Sequence, residues 1–323
     1  MTTMKEVAKE AGVSIITVSR VLNSPELVKP VTRKKVEEVM GKLNFQTNQA
    51  AKALVNNQTR VIHLFIPQNI SMNNPFAMHF ISGISDVLSS RYYSFLVRRE
   101  WDFPYKCDGI IGMGISTNEE ELIKEKFNVP FVLFGHTQLD EFEWVEVDNF
   151  QGAYDMTDYL ISLGHKEIGF ILINENRRFA FDRLNGYKKA LVDHGIPVNP
   201  DLIQYAANEE NDGYIKSLEL LSRKNISALF CTSDELALGA IRAARILGKK
   251  IPQDISIAGF DGLGYENLTD PKITTMHQPV YEAAKTLANV LVDRIENPHT
   301  NRVTKMISPI IRVNQSVSMN QLA

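Results

Sequence analysis

Thr17 and Arg20 stand one helical turn apart in the stretch MKEVAKEAGVSIITVSRVLN (residues 4–23), flanked by Ser14, Ser19 and Asn23. Arg20 can take a guanine edge or a phosphate, Thr17 can hydrogen-bond a base, and the two serines and Asn23 suit backbone phosphates. Ile15 and Ile16 form no hydrogen-bond pair with a base, but they can pack on thymine methyl groups. A second set lies further along. Asp261 closes the apolar run ISIAGFD, where a carboxylate can accept from two sugar hydroxyls. Asp148 follows another strand that faces the same crevice, and Phe76, after Asn74 and Pro75, offers a ring to stack on a sugar. Trp144, just before Asp148, is a second ring that could serve the ligand or pack in the core or rim. Arg177 or Arg178 would suit an acidic or phosphorylated ligand.

None of this is catalytic chemistry. His63, His79, His136, His165, His194, His277 and His299 are scattered, and Cys107 and Cys231 lie far apart with no metal-ligand spacing. There is no P-loop, no G-x-G-x-x-G after the first strand and no nucleophile elbow. No catalytic residue, cofactor or metal is expected.

The first set needs a short helix, and the chain builds one. Thr3 with Glu6 is a capping box that starts a helix near Met4, Gly12 turns the chain, and Ser14 caps a second helix through Asn23. Ala8, Gly12 and Val18, with Val7 and Val21, have the spacing of a helix-turn-helix, whose second helix enters the major groove. A third helix, capped by Thr32, carries Val36, Val39, Met40 and Leu43 on one stripe. Asn48 to Val55 has room for about two turns, too short to be stable alone, which makes it a hinge that orders on DNA. Residues 1–60 hold ten Lys/Arg against five Glu although the chain's net charge is −3. A basic head on an acidic body places the polyanion at the head.

From Arg60 the pattern becomes α/β. Strands at 61–67, 92–97, 109–114, 130–135, 168–173, 202–205, 228–233 and 255–260 alternate with helices at 76–90, 118–127, 149–163, 183–194, 211–222, 234–247 and 281–296. Such alternation predicts parallel sheets with right-handed crossovers, with ligands at the carboxyl ends of the strands. The apolar fraction of 44% is that of a soluble globular protein, and the N-terminus has no apolar leader. The reading is a cytoplasmic protein without a membrane partner.

Several motifs in order, AKEAGVSIITVSRVLN (8–23), TRKKVEEVMGKLNF (32–45), NQAAKAL (48–54), VDNFQGA (147–153), RLNGYKKAL (183–191), SDELALGAIRA (233–243), ISIAGFD (255–261) and TTMHQP (274–279), resemble the lactose/galactose-repressor family over nearly the whole chain. The resemblance implies an all-α helix-turn-helix head (1–46), a hinge helix and linker (47–59), and an effector-binding and dimerisation core (60–323). That core is two doubly wound α/β subdomains, periplasmic-binding-protein-like and crossed by three strands. It further implies a homodimer on a near-palindromic operator, repressing sugar-utilisation genes under control of a sugar or sugar phosphate. By resemblance, Ile15 and Ile16 choose the operator, Lys52 stands where arginine is frequent, and Leu54 wedges into the minor groove. Arg183, Ser233 and Gln278 join Asp261 around the effector. Two rival readings remain at this level: a regulator driven by a partner protein, of carbon-catabolite type, and a sugar-binding protein that meets no DNA.

The sequence also departs from the family's pattern. Only RREWDFPYKCD (98–108) separates two strands where a full helix is usual, so one sheet face needs other cover, and Trp101, Phe103 and Tyr105 are candidates. Ala77 stands where a second aromatic usually follows Phe76, which predicts a more open pocket. Thr47 replaces a frequent proline, which predicts a hinge less ordered before DNA arrives.

Overall fold

The computed structural model describes residues 2–23, 25–45, 58–102, 106–137, 139–223 and 225–320. It divides into two compact units, Met1–Thr59 and Arg60–Ala323. The hinge segment, with Lys52 and Leu54, lies outside the described residues, as do Phe103 and Tyr105.

In the first unit α1 spans Met4–Ala11 and carries the Thr3–Glu6 capping box on both of its arms. Gly12 adopts φ 62°, the left-handed turn that other residues adopt only with strain. Helix α2 (Ile15–Asn23) begins after Ser14, whose hydroxyl accepts from the Thr17 backbone N–H at 3.1 Å. Helix α3 (Pro30–Lys42) starts two residues before the expected Thr32 cap. Pro30 needs no N–H in the first turn and its fixed φ suits a helix start, so no side-chain cap is required. Val7, Ala8, Ala11, Val18, Val21, Val36 and Val39 form the core these helices share.

The second unit holds two six-stranded sheets. The first contains β1 (Val61–Phe65), β2 (Ser94–Arg98), β3 (Gly109–Met113), β4 (Phe131–Phe134), β5 (Glu143–Val147) and β11 (Thr304–Ile307). Its order is β11-β5-β4-β3-β1-β2 and its pairs are parallel. The second sheet contains β6 (Ile168–Ile173), β7 (Ile203–Ala206), β8 (Ala228–Cys231), β9 (Ser256–Asp261), β10 (Thr274–His277) and β12 (Ile310–Arg312). Its order is β12-β10-β9-β8-β6-β7, with only β10–β12 antiparallel. Helices α4 (Pro75–Ser90) and α5 (Thr117–Lys126) follow strands of the first sheet. Helices α6 (Asn149–Ser162), α7 (Arg178–Asp193), α8 (Glu210–Arg223) and α9 (Asp234–Ile246) belong to the second, and α10 (Val280–Glu296) returns to the core of the first. The chain therefore crosses between the subdomains three times: after β5, after β10 and between β11 and β12.

Strand β5 is the one expected just before Asp148, whereas β10, β11 and β12 were not expected from hydropathy. Each of these three has three or four residues, and β11 and β12 are mostly exposed, so neither length nor an apolar run marks them. Helix α7 starts at Arg178, five residues earlier than expected, because ENRR contains no breaker and its cap, Arg177, makes no side-chain cap bond. Arg183 thus falls in the second turn, where its side chain points inward.

The short crossover is helix-free among its described residues. Trp101 stacks on Phe65 with centroids 3.5 Å apart and planes at 19°, and its Nε1 donates to Glu119 Oε1 at 2.9 Å. It packs with Ile123, Leu133 and Phe142 into one small cluster, taking part of the cover that a helix would give. Trp101→Ala is expected to lower stability by about 2–3 kcal/mol, below the full cost for a wholly buried ring because Trp101 is part-exposed. Urea unfolding of both proteins checks this.

Candidate effector cleft and DNA-contacting helix

On α2 the buried face is Val18 and Val21, and the opposite face carries Ser14, Ile15, Ile16 and Arg20 outward. Ile15 is 46% and Ile16 64% exposed, so neither belongs to the core of the head. Two adjacent isoleucines thus present apolar surface on the outward face of α2. The Ser14 and Thr17 hydroxyls hydrogen-bond each other at 2.9 Å, and Thr17 and Ser19 are half-buried beside the outward face. Asn23 is the last residue of α2.

The second cluster forms where the carboxyl ends of both sheets meet. Asn74, Pro75 and Phe76, from the start of α4, face Asp234, Glu235, Asp261, Leu263 and Tyr265 of the other subdomain across one pocket. Asn74 caps α4 by accepting from the Phe76 N–H at 2.8 Å, and the Phe76 ring meets the edge of Phe134 at 5.6 Å, which fixes the aromatic wall. Ala77 does not open this pocket, contrary to the expectation: it points into the core and is fully buried. Trp144 packs against the Trp101 cluster and His136 rather than lining the pocket.

Arg183 is almost wholly buried. Its Nε donates to Asn149 Oδ1 at 2.9 Å, Nη1 donates to the Thr232 carbonyl at 2.5 Å, and the guanidinium lies 3.8 Å from the Phe260 ring centre. Asp261 Oδ1 sits 4.0 Å from Nη1 and accepts from Gln278 Nε2 at 2.6 Å. Asp261 has φ 119°, a strained backbone for a residue with a side chain, and such strain collects at ligand sites. Burial pushes its carboxyl up to about 6 while Arg183 and the Gln278 bond pull the other way. Burial lowers Arg183 to about 10, so it stays cationic at neutral pH.

The other expected contacts separate. Asp148 caps α6 by accepting from the Gln151 N–H at 2.9 Å and sits at the first crossing between subdomains. Ser233 is fully buried; its hydroxyl accepts from the Leu236 N–H at 3.2 Å and donates to Asn208 at 2.6 Å, so it caps α9. Arg177 is paired with Glu175 at 2.8 Å and donates to Asn69 at 3.3 Å. Arg177's charge is thus matched by Glu175.

Sequence reasoning missed Asp234 and Glu235 as lining residues. Asp234 accepts from the Gly262 N–H at 2.8 Å and from the Thr275 hydroxyl at 2.5 Å, and burial together with Asp261 pushes its carboxyl well up. The signal was present: two acids directly after a buried strand, at its carboxyl end. The pocket therefore carries three carboxyls, and the cation beside it is Arg183. Carboxyls in such a lining can hydrogen-bond to hydroxyl groups.

Comparison with known proteins agrees with this architecture. Residues 3–48 match the model of bacterial regulatory proteins of the lacI family, and residues 157–317 match a periplasmic binding protein-like domain. The regulator YvdE of Bacillus subtilis, of helix-turn-helix type, is 35% identical over 98% of this chain and 99% of its own length. The ribose operon repressor of Haemophilus influenzae is 30% identical over 98% of this chain and 99% of its own. The structure of the transcriptional regulator CelR in complex with cellobiose superposes with a TM-score of 0.75 at 26% identity, covering 98% of this chain and all of the other.

Proposed function

Because this chain belongs to the lacI family of bacterial regulatory proteins, DNA-binding regulators of transcription, we propose that it is a repressor whose operator affinity is set by an uncharged sugar. The head, residues 1–46, reads one half-site through Ile15, Ile16, Thr17 and Arg20, with Ser14, Ser19 and Asn23 on phosphates. Residues 47–59, with Lys52 and Leu54, form the hinge that orders on DNA, and residues 60–323 bind effector and pair two copies on a near-palindromic operator. The cytoplasm is the compartment this requires; among the described residues no helix is long and apolar enough to cross a membrane.

The observation that carries the effector class is the pocket's charge. Asp261, Asp234 and Glu235 line it opposite Phe76, with Arg183 beneath Asp261. Carboxylates accept from hydroxyls and the ring stacks on a sugar's apolar face. Relatives named for ribose and cellobiose support a neutral sugar. A ligand that binds one cleft state better than the other shifts the population of hinge geometries and thus DNA affinity.

A thermal-shift panel of neutral sugars, sugar phosphates and nucleosides tests this. A specific ligand at 100 times its Kd adds about 2.7 kcal/mol, a rise of several degrees in Tm for a domain of this size. A neutral sugar is the expected hit. A hit confined to phosphorylated compounds would overturn the charge argument.

A further inference from the structure

Next to Arg183 on α7, Asp182 faces across the cleft toward the first subdomain. There His136, just past β4, and Glu146, on β5, meet it. Glu146 Oε2 accepts from the His136 backbone N–H at 2.7 Å and from the ring Nδ1 at 2.5 Å, and Asp182 Oδ2 lies 3.7 Å from the same nitrogen. The other Glu146 oxygen accepts from Asn149 Nδ2 at 3.0 Å, and Asn149 Oδ1 accepts from Arg183 Nε at 2.9 Å. One continuous chain of polar contacts thus runs from Asp182 through His136, Glu146 and Asn149 to Arg183, and so to Asp261.

We propose that His136 is a proton-operated clasp between the two subdomains. As an imidazolium it holds Glu146 on one side of the cleft and Asp182 on the other, and through Asn149 it presets the Arg183 guanidinium. As a neutral ring it keeps the Glu146 bond but loses most of its hold on Asp182.

The electrostatics favour this. Glu146 from β5, Asp182 from α7 and Glu120 from α5 face the imidazole, against one cation, Arg178 from α7. Glu146 is 5% exposed and Asp182 is half-buried, so neither is well hydrated. The Glu146 hydrogen bond, then the charges of Glu146 and Asp182, raise the imidazole above its ordinary 6.5, against burial and Arg178. Burial also raises Asp182, and His136 pulls it back. A metal ion is not the cation this cluster calls for. Although the three ligand atoms lie within 4.8 Å of one another, Nδ1 and the Glu146 oxygen touch at 2.5 Å. Two ligands of one tetrahedral zinc stand roughly 3.3 Å apart, given metal–ligand bonds of about 2.0 Å.

The sign follows from linkage. Glu146 lies in His136's own subdomain and raises the imidazole in both states, so only the part due to Asp182 distinguishes them. Closure is favoured while the imidazole is charged, and that contribution is lost as pH rises through the clasped-state value. At the acid end the clasp fades as Asp182, itself raised, takes a proton. Closure therefore takes up a proton, and one proton changes the closed-to-open ratio by at most about tenfold per pH unit.

The test needs no effector, so its failure is separable from failure of the sugar reading. Spin labels at exposed Met72 and Leu268, one per subdomain, in a Cys107→Ser background of the full chain, report the inter-subdomain distance by pulsed electron resonance. Between about pH 6 and about pH 8.5, the range in which a histidine titrates, the short-distance population should fall in the parent. His136→Gln, which keeps a hydrogen bond but cannot take the charge, should show a pH-independent distribution. Asp182→Asn, at a part-exposed site, should flatten the response while leaving the fold unchanged by circular dichroism. A parent distribution that ignores pH, or a His136→Gln response equal to the parent's, would overturn the clasp.

Discussion

Arg183→Ala is expected to weaken effector binding and the fold at the same time. The guanidinium is buried, hydrogen-bonded to Asn149 and to the Thr232 carbonyl, and stacked on Phe260. Deleting one member of a buried charge pair costs about 3–5 kcal/mol, because the partner is left unmatched. Here Asp261 keeps its Gln278 bond and part of its solvent access, so a loss near the lower end is expected. Without Arg183, Asp261 rises further above about 6, so a larger share of it is protonated at neutral pH. A neutral carboxyl accepts weakly from sugar hydroxyls, and the lost charged hydrogen bonds are worth about 1.5–3 kcal/mol each. Effector affinity should fall on the order of 100-fold, the upper end of that range. Arg183→Lys separates the two effects: it keeps a cation beside Asp261 but cannot reach Asn149 and Thr232 together. It should recover stability and not affinity, which calorimetric titration with the panel hit, alongside urea unfolding, resolves.

Gly239→Ala should cost more than any surface change. A Cβ on Gly239 in α9 would stand 2.1 Å from the Glu210 carbonyl oxygen and 2.4 Å from the Tyr214 nitrogen, and one on Gly213 in α8 would meet the Leu236 carbonyl at 2.5 Å. These are backbone atoms of two helices in close approach, so no side-chain rotation relieves the clash. The helices must separate, which opens the interface beneath Ala237, Ala240 and Leu236. Overpacking of this kind costs about 3 kcal/mol or more, and a Tm drop on the order of 10 °C follows for a domain this large. Calorimetry checks it. A drop of only one or two degrees would mean that α8 and α9 slide apart cheaply.

These two residues also show what the sequence could and could not display. Gly239 sits in SDELALGAIRA, which carried the family resemblance, while its close contact with α8 shows only in the packing. Gly12, Thr3 and Glu6, by contrast, announce the first turn locally. Asp261 was legible because a carboxylate at a strand's carboxyl end is exposed to a crevice by topology alone. Its positive φ was not, since backbone strain is imposed by neighbours distant in sequence. Ser233 was placed at the effector by the family resemblance, yet its hydroxyl is turned to the N-terminus of α9 and to Asn208, a choice no local pattern encodes. Asp234 and Glu235 were passed over although they stand in the same place. His136 looked like one more scattered histidine, because Glu146 and Asp182 reach it only through the pairing of β4 with β5 and the meeting of two subdomains. The early start of α7 was hidden for a simpler reason, the absence of any cap or breaker in ENRR.

The central claim is that a ligand in the cleft sets the affinity of this chain for one DNA sequence. Fluorescence anisotropy measures it directly, using the full chain and a duplex enriched from a random library, with and without the hit from the sugar panel. The prediction is a near-palindromic duplex whose Kd changes at least about tenfold when the cleft is filled, a coupling of about 1.4 kcal/mol. An enriched duplex bound equally well with the ligand and without it would contradict the account.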